Sequence, residues 1–338
     1  MERILEIRNF GPITSASVIL KDFNFFIGEQ GSGKSTIAKL ITVFENSETL
    51  GRADSLHDLM PQFEALNIAS YFNHDTYISF HSAKGAIVYE KGKFYRQAWK
   101  EGCGDTFELF HNLYIPSERF FISTFSRSLA TLVLAKVPIP YTLLEFASLY
   151  EKAKNKYPNY NVPILNLSFR VDSMQETIVL DGCNKSIPFK DASSGIQSVI
   201  PLLMVLDYAV KETSFNRYVV EEPELNLFPQ TQVDLLQRMI SQCPLLTVTT
   251  HSPYLLSAVN NLIEAGNVLN LHPEKKEEVI KWVPENCIID FDKVSAYKME
   301  NGEVVSVLDE EYRLIVADKI DTISDKESRI FSALLDLE

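Results

Sequence analysis

"FNFFIGEQGSGKSTIAKL" (residues 23–40) joins three local signals in one stretch. An apolar run reads as a buried strand, a glycine-rich loop follows, and a helical pattern runs over 36–46. Gly28 to Ser35 satisfy G-x-x-x-x-G-K-[ST], in which glycines let backbone N–H groups curl around a β-phosphate. In such a loop Lys34 reaches the β- and γ-phosphates and Ser35 ligates Mg²⁺. The candidate phosphate contacts are therefore Gly28, Gly31, Ser32, Gly33, Lys34, Ser35 and Thr36. A plain Gly/Ser turn bearing a surface lysine accounts less well for a loop set between a buried strand and a helix.

Three further segments have the chemistry this loop needs. In "RYVVEEPELNLFP" (217–229) two carboxylates follow an apolar strand, where a P-loop sheet presents acids to the metal. Glu221 is the candidate second Mg²⁺ holder, through water, and Glu222 the candidate base for the attacking water. In "LLTVTTHSPYLL" (245–256) His251 ends another apolar strand, poised to donate to a γ-phosphate, and Ser252-Pro253 take the N-cap and N1 positions of the next helix. In "DASSGIQSVI" (191–200) the turn Ser193-Ser194-Gly195 opens a helix, so its free N–H groups form an anion site. Each segment alone has a plainer reading: a solvated acid pair, a structural histidine, an ordinary N-cap.

The rest of the chain sets bounds. Its 338 residues and 46% hydrophobic content allow a sizeable core. A net charge of −13 repels phosphate backbones and anionic lipid, so nucleic-acid contact needs a local basic patch. Cys103, Cys183, Cys243 and Cys287 show no CxxC pairing, which fits a reducing compartment, and the cytoplasm is the expected location. The longest apolar runs fall short of the roughly 18 residues that span a bilayer, and no membrane partner is expected. Strands at 3–8 and 16–20 precede the loop, a hairpin turns at Lys91-Gly92, and another turns at Asn301-Gly302. Pro201 falls within the helix expected over 195–211, which predicts a kink or a late start.

Taken in order, Gly28 to Ser35, Ser193 to Gly195, Glu221-Glu222, "ELNLF" (224–228) and His251 resemble the Walker A, signature, Walker B, D-loop and switch histidine of an ABC-type ATPase head. "LEIRNFGPI" (5–13), "YIPSERF" (114–120), "EEPELNLFP" and "THSPYLL" are similar to its RecF/SMC/OLD-like branch, which acts in DNA repair and anti-phage defence. The resemblance covers nearly the whole chain. It implies an α/β P-loop fold with a mixed central sheet, an antiparallel β subdomain and an inserted helical lobe. It also implies two heads closing over two ATPs, each signature loop touching the γ-phosphate held by the other. Ile196 and Gln30 depart from the commoner residues without removing a phosphate contact. The family's Q-loop glutamine is matched poorly by both Gln97 and Glu118, which leaves the coupling between lobes open. OLD nucleases add a Toprim domain with a DxD motif; Asp290-Phe291-Asp292 spells it but reads as a turn or cap, so any nuclease is expected on another polypeptide.

The expected organisation is a single head over 1–338. Within it, 1–119 carries the P-loop and β subdomain, 120–192 the inserted lobe, 193–270 the signature helix, Walker B and switch histidine, and 271–338 a hairpin and helical tail. The function expected is an ATP-hydrolysing switch, a homodimer or higher homo-oligomer, that controls a separate effector protein (nuclease or toxin) or engages DNA. A transporter ATPase and a P-loop small-molecule kinase are the alternatives. Lys152, Lys154 and Lys156 with Tyr150, Tyr157 and Tyr160 form the candidate DNA contact.

Overall fold

The computed structural model describes residues 2–46, 53–82, 85–97, 111–125, 128–172, 175–182, 185–316, 330–332 and 334. Cys103, Cys183 and most of the expected helical tail lie outside them. The first strands, β1 (Arg3–Phe10) and β2 (Ile13–Leu20), form a hairpin, and β3 (Phe23–Gly28) leads through the P-loop into α1 (Lys34–Phe44). After α2 (Leu56–Ala65) come β4 (Tyr77–Ser82), β5 (Gly85–Glu90), β6 (Lys93–Gln97) and β7 (Asn112–Ile115). Helices α3 (Phe120–Phe125), α4 (Leu129–Leu134) and α5 (Tyr141–Lys156) follow. A separate four-stranded sheet is then built from β8 (Asn159–Val162), β9 (Leu167–Val171), β10 (Glu176–Leu180) and β11 (Ser186–Pro188).

The chain returns to the main sheet through α6 (Ser194–Glu212), β12 (Arg217–Glu221), α7 (Pro229–Gln242), β13 (Leu246–Thr250), α8 (Pro253–Leu271), β14 (Val294–Glu300) and β15 (Glu303–Ser306). Among the described residues that sheet has 11 strands, in the order β6-β5-β4-β1-β2-β15-β14-β3-β13-β12-β7. The half from β14 to β7 is parallel, and the half from β6 to β2 is antiparallel. Consequently β3, β13, β12 and β7 end on the same side, which brings their following loops to one edge.

Alternation along the parallel strands divides the core into two layers. Phe25 and Ile27 of β3 and Tyr218 and Val220 of β12 pack with α6, α7 and α8, while Phe26 and Val219 face α1, β1 and β2 on the other side. Burial on both faces is why these strands read as near-continuous apolar runs. The hairpin turns are at Lys91-Gly92 and Asn301-Gly302, all four residues having positive φ. Glu45, at the C-terminal end of α1, is buried and forms ion pairs with Arg217 at the start of β12 (2.6 Å) and with Arg3 (3.0 Å), fixing α1 against the Walker B strand.

Helix α6 begins at Ser194, ahead of Pro201, so the late start is not what forms. Proline inside a helix costs ~3 kcal/mol. Val199, Ile200, Leu202, Leu203, Met204, Val205 and Leu206 are all buried along α6, and full burial of such a side chain stabilises by ~1.5–3 kcal/mol. Packing therefore outweighs the missing donor.

Candidate functional site

The P-loop leaves β3 at Gly28 and closes into α1 at Gly33, whose φ of 101° is in a region that side-chain-bearing residues avoid. No side chain caps α1, so its first N–H groups point into the loop. Lys34 is buried; its Nζ donates to the carbonyls of Gly28 and Glu29, both at 2.8 Å, and stands 3.4 Å from His251 Nδ1. Burial lowers its pKa, and the carboxylates of Glu222, Glu224 and Glu221 oppose that shift. Ser32 Oγ is buried with no hydrogen-bond partner among the described residues, while Thr36 is buried in the first turn of α1. Gly31, at φ 78°, sits exposed on the loop.

Glu221 ends β12, 3% exposed, and burial raises its pKa while the hydroxyls of Ser35 and Tyr114 oppose the rise. Its Oε1 has no hydrogen-bond partner among the described residues. A buried, unpaired carboxylate oxygen beside a serine hydroxyl suits a hard divalent cation, and the uncapped loop suits a phosphate chain. Glu221 and Ser35 could hold Mg²⁺, which when bound screens phosphate charge.

Glu222 is in the left-handed region at φ 42°, a conformation that costs ~1–2 kcal/mol for a residue with a side chain. Its backbone is held on both sides: its N–H donates to the Thr249 carbonyl (2.9 Å), and its carbonyl accepts from Arg119 Nη2 (2.7 Å). The strain turns the side chain so that Oε1 lies 3.0 Å from His251 Nε2. That hydrogen bond is the main reason the Glu222 carboxyl is held below its usual pKa; burial opposes it, and the charges of His251, Lys34 and Arg119 reinforce it.

Several residues the sequence reading missed position these groups. Arg119 is fully buried and also donates from Nη1 to the carbonyls of Glu221 (2.7 Å) and Pro116 (3.2 Å). Burial lowers its pKa to about 10, so it stays charged at neutral pH. Glu224 accepts through Oε1 from Thr250 Oγ1 and from the His251 N–H, both at 2.7 Å, tying the acid loop to the histidine. Arg119 lies inside the quoted "YIPSERF", and Glu224 two residues after the acid pair. Only their burial, which sequence does not display, marks them out.

Ser193 and Ser194 are exposed at the start of α6, but Ser193 makes no side-chain capping bond, so the expected hydroxyl cap is absent. Ser252 likewise takes the N-cap position of α8 without capping it; its Oγ donates instead to Gln232 Oε1 (2.6 Å), which leads back through Gln232 Nε2 to the Leu227 carbonyl (3.0 Å). Gly195 packs against the loop after Glu224: a Cβ there would lie 2.5 Å from the Asn226 carbonyl oxygen. Of the two Q-loop candidates, Gln97 ends β6 at the opposite sheet edge from β7, and Glu118 is exposed beside Arg119.

Of the candidate DNA patch, Lys152 and Lys156 are exposed and Tyr157 is half-buried, while the other three residues are buried. Tyr150 and Lys154 turn inward on α5, and Lys154 pairs with Glu151 and Glu176 at 2.7 Å each. Lys156 pairs with Glu212 (3.0 Å), and Tyr160 is buried. Spacing of two residues along a helix sends alternate lysines to different faces, and this one meets a carboxylate in the core. Asp290 caps a short turn, accepting from the Asp292 N–H (3.1 Å), and both aspartates pair with Arg313.

The phosphate-loop motif after β3 and the acid pair after β12, on parallel strands to either side of β13 and its His251, define a P-loop ATPase domain. The chain belongs to the AAA ATPase domain family, which matches residues 1–101 and 122–256. The search of curated proteins gave no match. Among solved structures it is similar to an SMC head bound to the C-terminal winged-helix domain of ScpA, at 14% identity over 92% of this chain and 98% of that one, TM-score 0.47. The SMC head domain from Thermotoga maritima gives 13% identity, 91% and 99% coverage and TM-score 0.44. RecF, the recombination mediator of the RecFOR pathway, gives 11%, 91% and 98%, and 0.43. No described helix is long and apolar enough to cross a membrane.

Proposed function

We propose that the chain is an ATP-binding and ATP-hydrolysing switch whose heads pair across two nucleotides and control a separate effector, a nuclease or toxin, in anti-phage defence or DNA repair. Lys34 and the N–H groups of Gly28 to Thr36 hold the phosphates, Ser35 and Glu221 hold Mg²⁺, and Glu222 orients the attacking water and takes its proton. His251, bonded to Glu222, senses the γ-phosphate. The observation that carries head pairing is the start of α6. Ser193 and Ser194 are exposed there, and no side-chain capping bond forms among the described residues, so the turn is free to receive a phosphate from a second head. Turnover is slow and set by the partner.

The test is the solution mass of Glu222→Gln by light scattering, with and without Mg-ATP. An ATP-dependent dimer, or an ATP-dependent change of shape in an assembled particle, supports the reading. A monomer that binds ATP and never associates leaves Ser193 to Gly195 as a plain helix start and sinks it.

A further inference from the structure

The link between the acid loop and the signature turn lies in three side chains, Arg119, Ser123 and Gln197, none of them assigned a phosphate or metal contact above. Arg119 holds the carbonyls of both Glu221 and Glu222, so any movement of that loop moves Arg119. Arg119 ends the short turn Ser117–Arg119 and runs directly into α3, where Ser123 is buried. Ser123 Oγ lies 2.9 Å from Gln197 Oε1 and 2.6 Å from the Phe120 carbonyl, sharing one proton between two acceptors. Gln197, 8% exposed in the first turns of α6, donates from Nε2 to the carbonyls of Lys190 and Ala192, both at 2.9 Å. Those two carbonyls require the amide's NH₂ on their side, which fixes its oxygen toward Ser123.

The Gln197 side chain therefore holds the strand of backbone that enters Ser193 to Gly195, a job the serines do not perform. Its side chain bonds both to Ser123 of α3 and to the backbone that leads into the signature turn. We infer that Gln197 is a positioning residue: through Ser123 and Arg119 it carries displacement of the Glu222 loop to the signature turn. The inference rests on the ATP-site reading above and supplies the coupling that neither Gln97 nor Glu118 can. The Gln197 amide is buried with both of its polar atoms bonded, so slippage there would leave a polar group unpaired, and the short backbone of α3 joins Ser123 to Arg119. The signature turn thus presents its donors in one arrangement when the acid loop is engaged and in another when it relaxes.

The experiment uses the full chain with Ser123→Ala and Gln197→Leu, a fluorescent ATP analogue, and hydrogen–deuterium exchange at a concentration where the protein is monomeric. Ser123→Ala cuts the link yet leaves the Gln197 bonds to Lys190 and Ala192 in place, so it keeps the test alive if Gln197→Leu fails to fold. In the wild type, nucleotide should slow exchange at 28–36 and change it at 189–197. In both variants the 28–36 response and the nucleotide affinity should persist while the 189–197 response disappears, and kcat should fall about tenfold, roughly one net hydrogen bond, with KM unchanged. A purely structural Gln197 would lose affinity and stability together, and Ser123→Ala would then be silent. A 189–197 response that survives Ser123→Ala overturns the relay. An absent 28–36 response in the wild type overturns the ATP reading itself, and the relay with it.

Discussion

His251 Nε2 lies 3.0 Å from Glu222 Oε1, and Lys34 Nζ lies 3.4 Å from the other nitrogen of the same ring. One imidazole thus spans the P-loop lysine and the acid. Because the His251 hydrogen bond is the largest influence lowering the Glu222 pKa, its removal lets burial dominate and the pKa rises. With Glu222 ionised as the proposed base, the acid limb of the wild-type kcat profile should lie below the ordinary carboxylate range. In His251→Ala that limb should move to higher pH, and kcat at neutral pH should fall ~10²-fold or more. A steady-state pH profile of both proteins checks this; an unmoved limb would detach His251 from Glu222.

Lys34→Ala removes a buried amine that the structure shows donating to two loop carbonyls, and with it the charge available to a phosphate. Charge-assisted hydrogen bonds are worth ~1.5–3 kcal/mol each, so ATP affinity should drop by roughly 10–100-fold. Titration with a fluorescent ATP analogue measures it, and circular dichroism shows whether the fold is kept.

Strands β3, β12 and β13 of the parallel half were legible because burial on both faces leaves a plain trace, "FNFFI", "RYVV" and "LLTV", whereas β7 was not read as a strand. The P-loop was legible because its chemistry fixes residue types at fixed spacing. What was not legible is whatever depends on three-dimensional contact. Lys154 reads as a solvated cation until Glu176 on β10 is brought to it. Ser193 and Ser252 read as caps, since composition cannot show that the Ser252 hydroxyl has a better partner in Gln232. Arg119 carries no signal of burial in the words around it.

Gly195 reads equally well as a phosphate-loop glycine and as a packing glycine, and the structure supplies the second reason. An added Cβ would stand 2.5 Å from the Asn226 carbonyl oxygen and 3.2 Å from Leu227 Cδ2. Backbone has to shift to admit it, at a cost of ~1–3 kcal/mol. Gly195→Ala should therefore retain nucleotide affinity, whose contacts lie on α1, and lose most turnover. Equal affinity and equal kcat would show that the approach of α6 to this loop has no part in the reaction.

Glu224 offers a prediction in which two substitutions at one site part company. Its Oε1 accepts from Thr250 Oγ1 and the His251 N–H, both at 2.7 Å, in a place where the residue is 8% exposed. Glu224→Ala leaves two donors without that acceptor, and each buried orphan costs ~1–3 kcal/mol, so stability should fall by ~2–4 kcal/mol. Freed from Glu224, the His251 backbone drifts from Glu222 and turnover falls with it. Glu224→Gln keeps an acceptor oxygen of the same reach and loses only the charge that supports Arg119 and Lys34, so its loss should stay below ~1.5 kcal/mol with turnover largely preserved. Urea unfolding midpoints and kcat for the pair decide it. Equal damage from both would mean that charge, and not the hydrogen bond to the His251 backbone, is what Glu224 contributes.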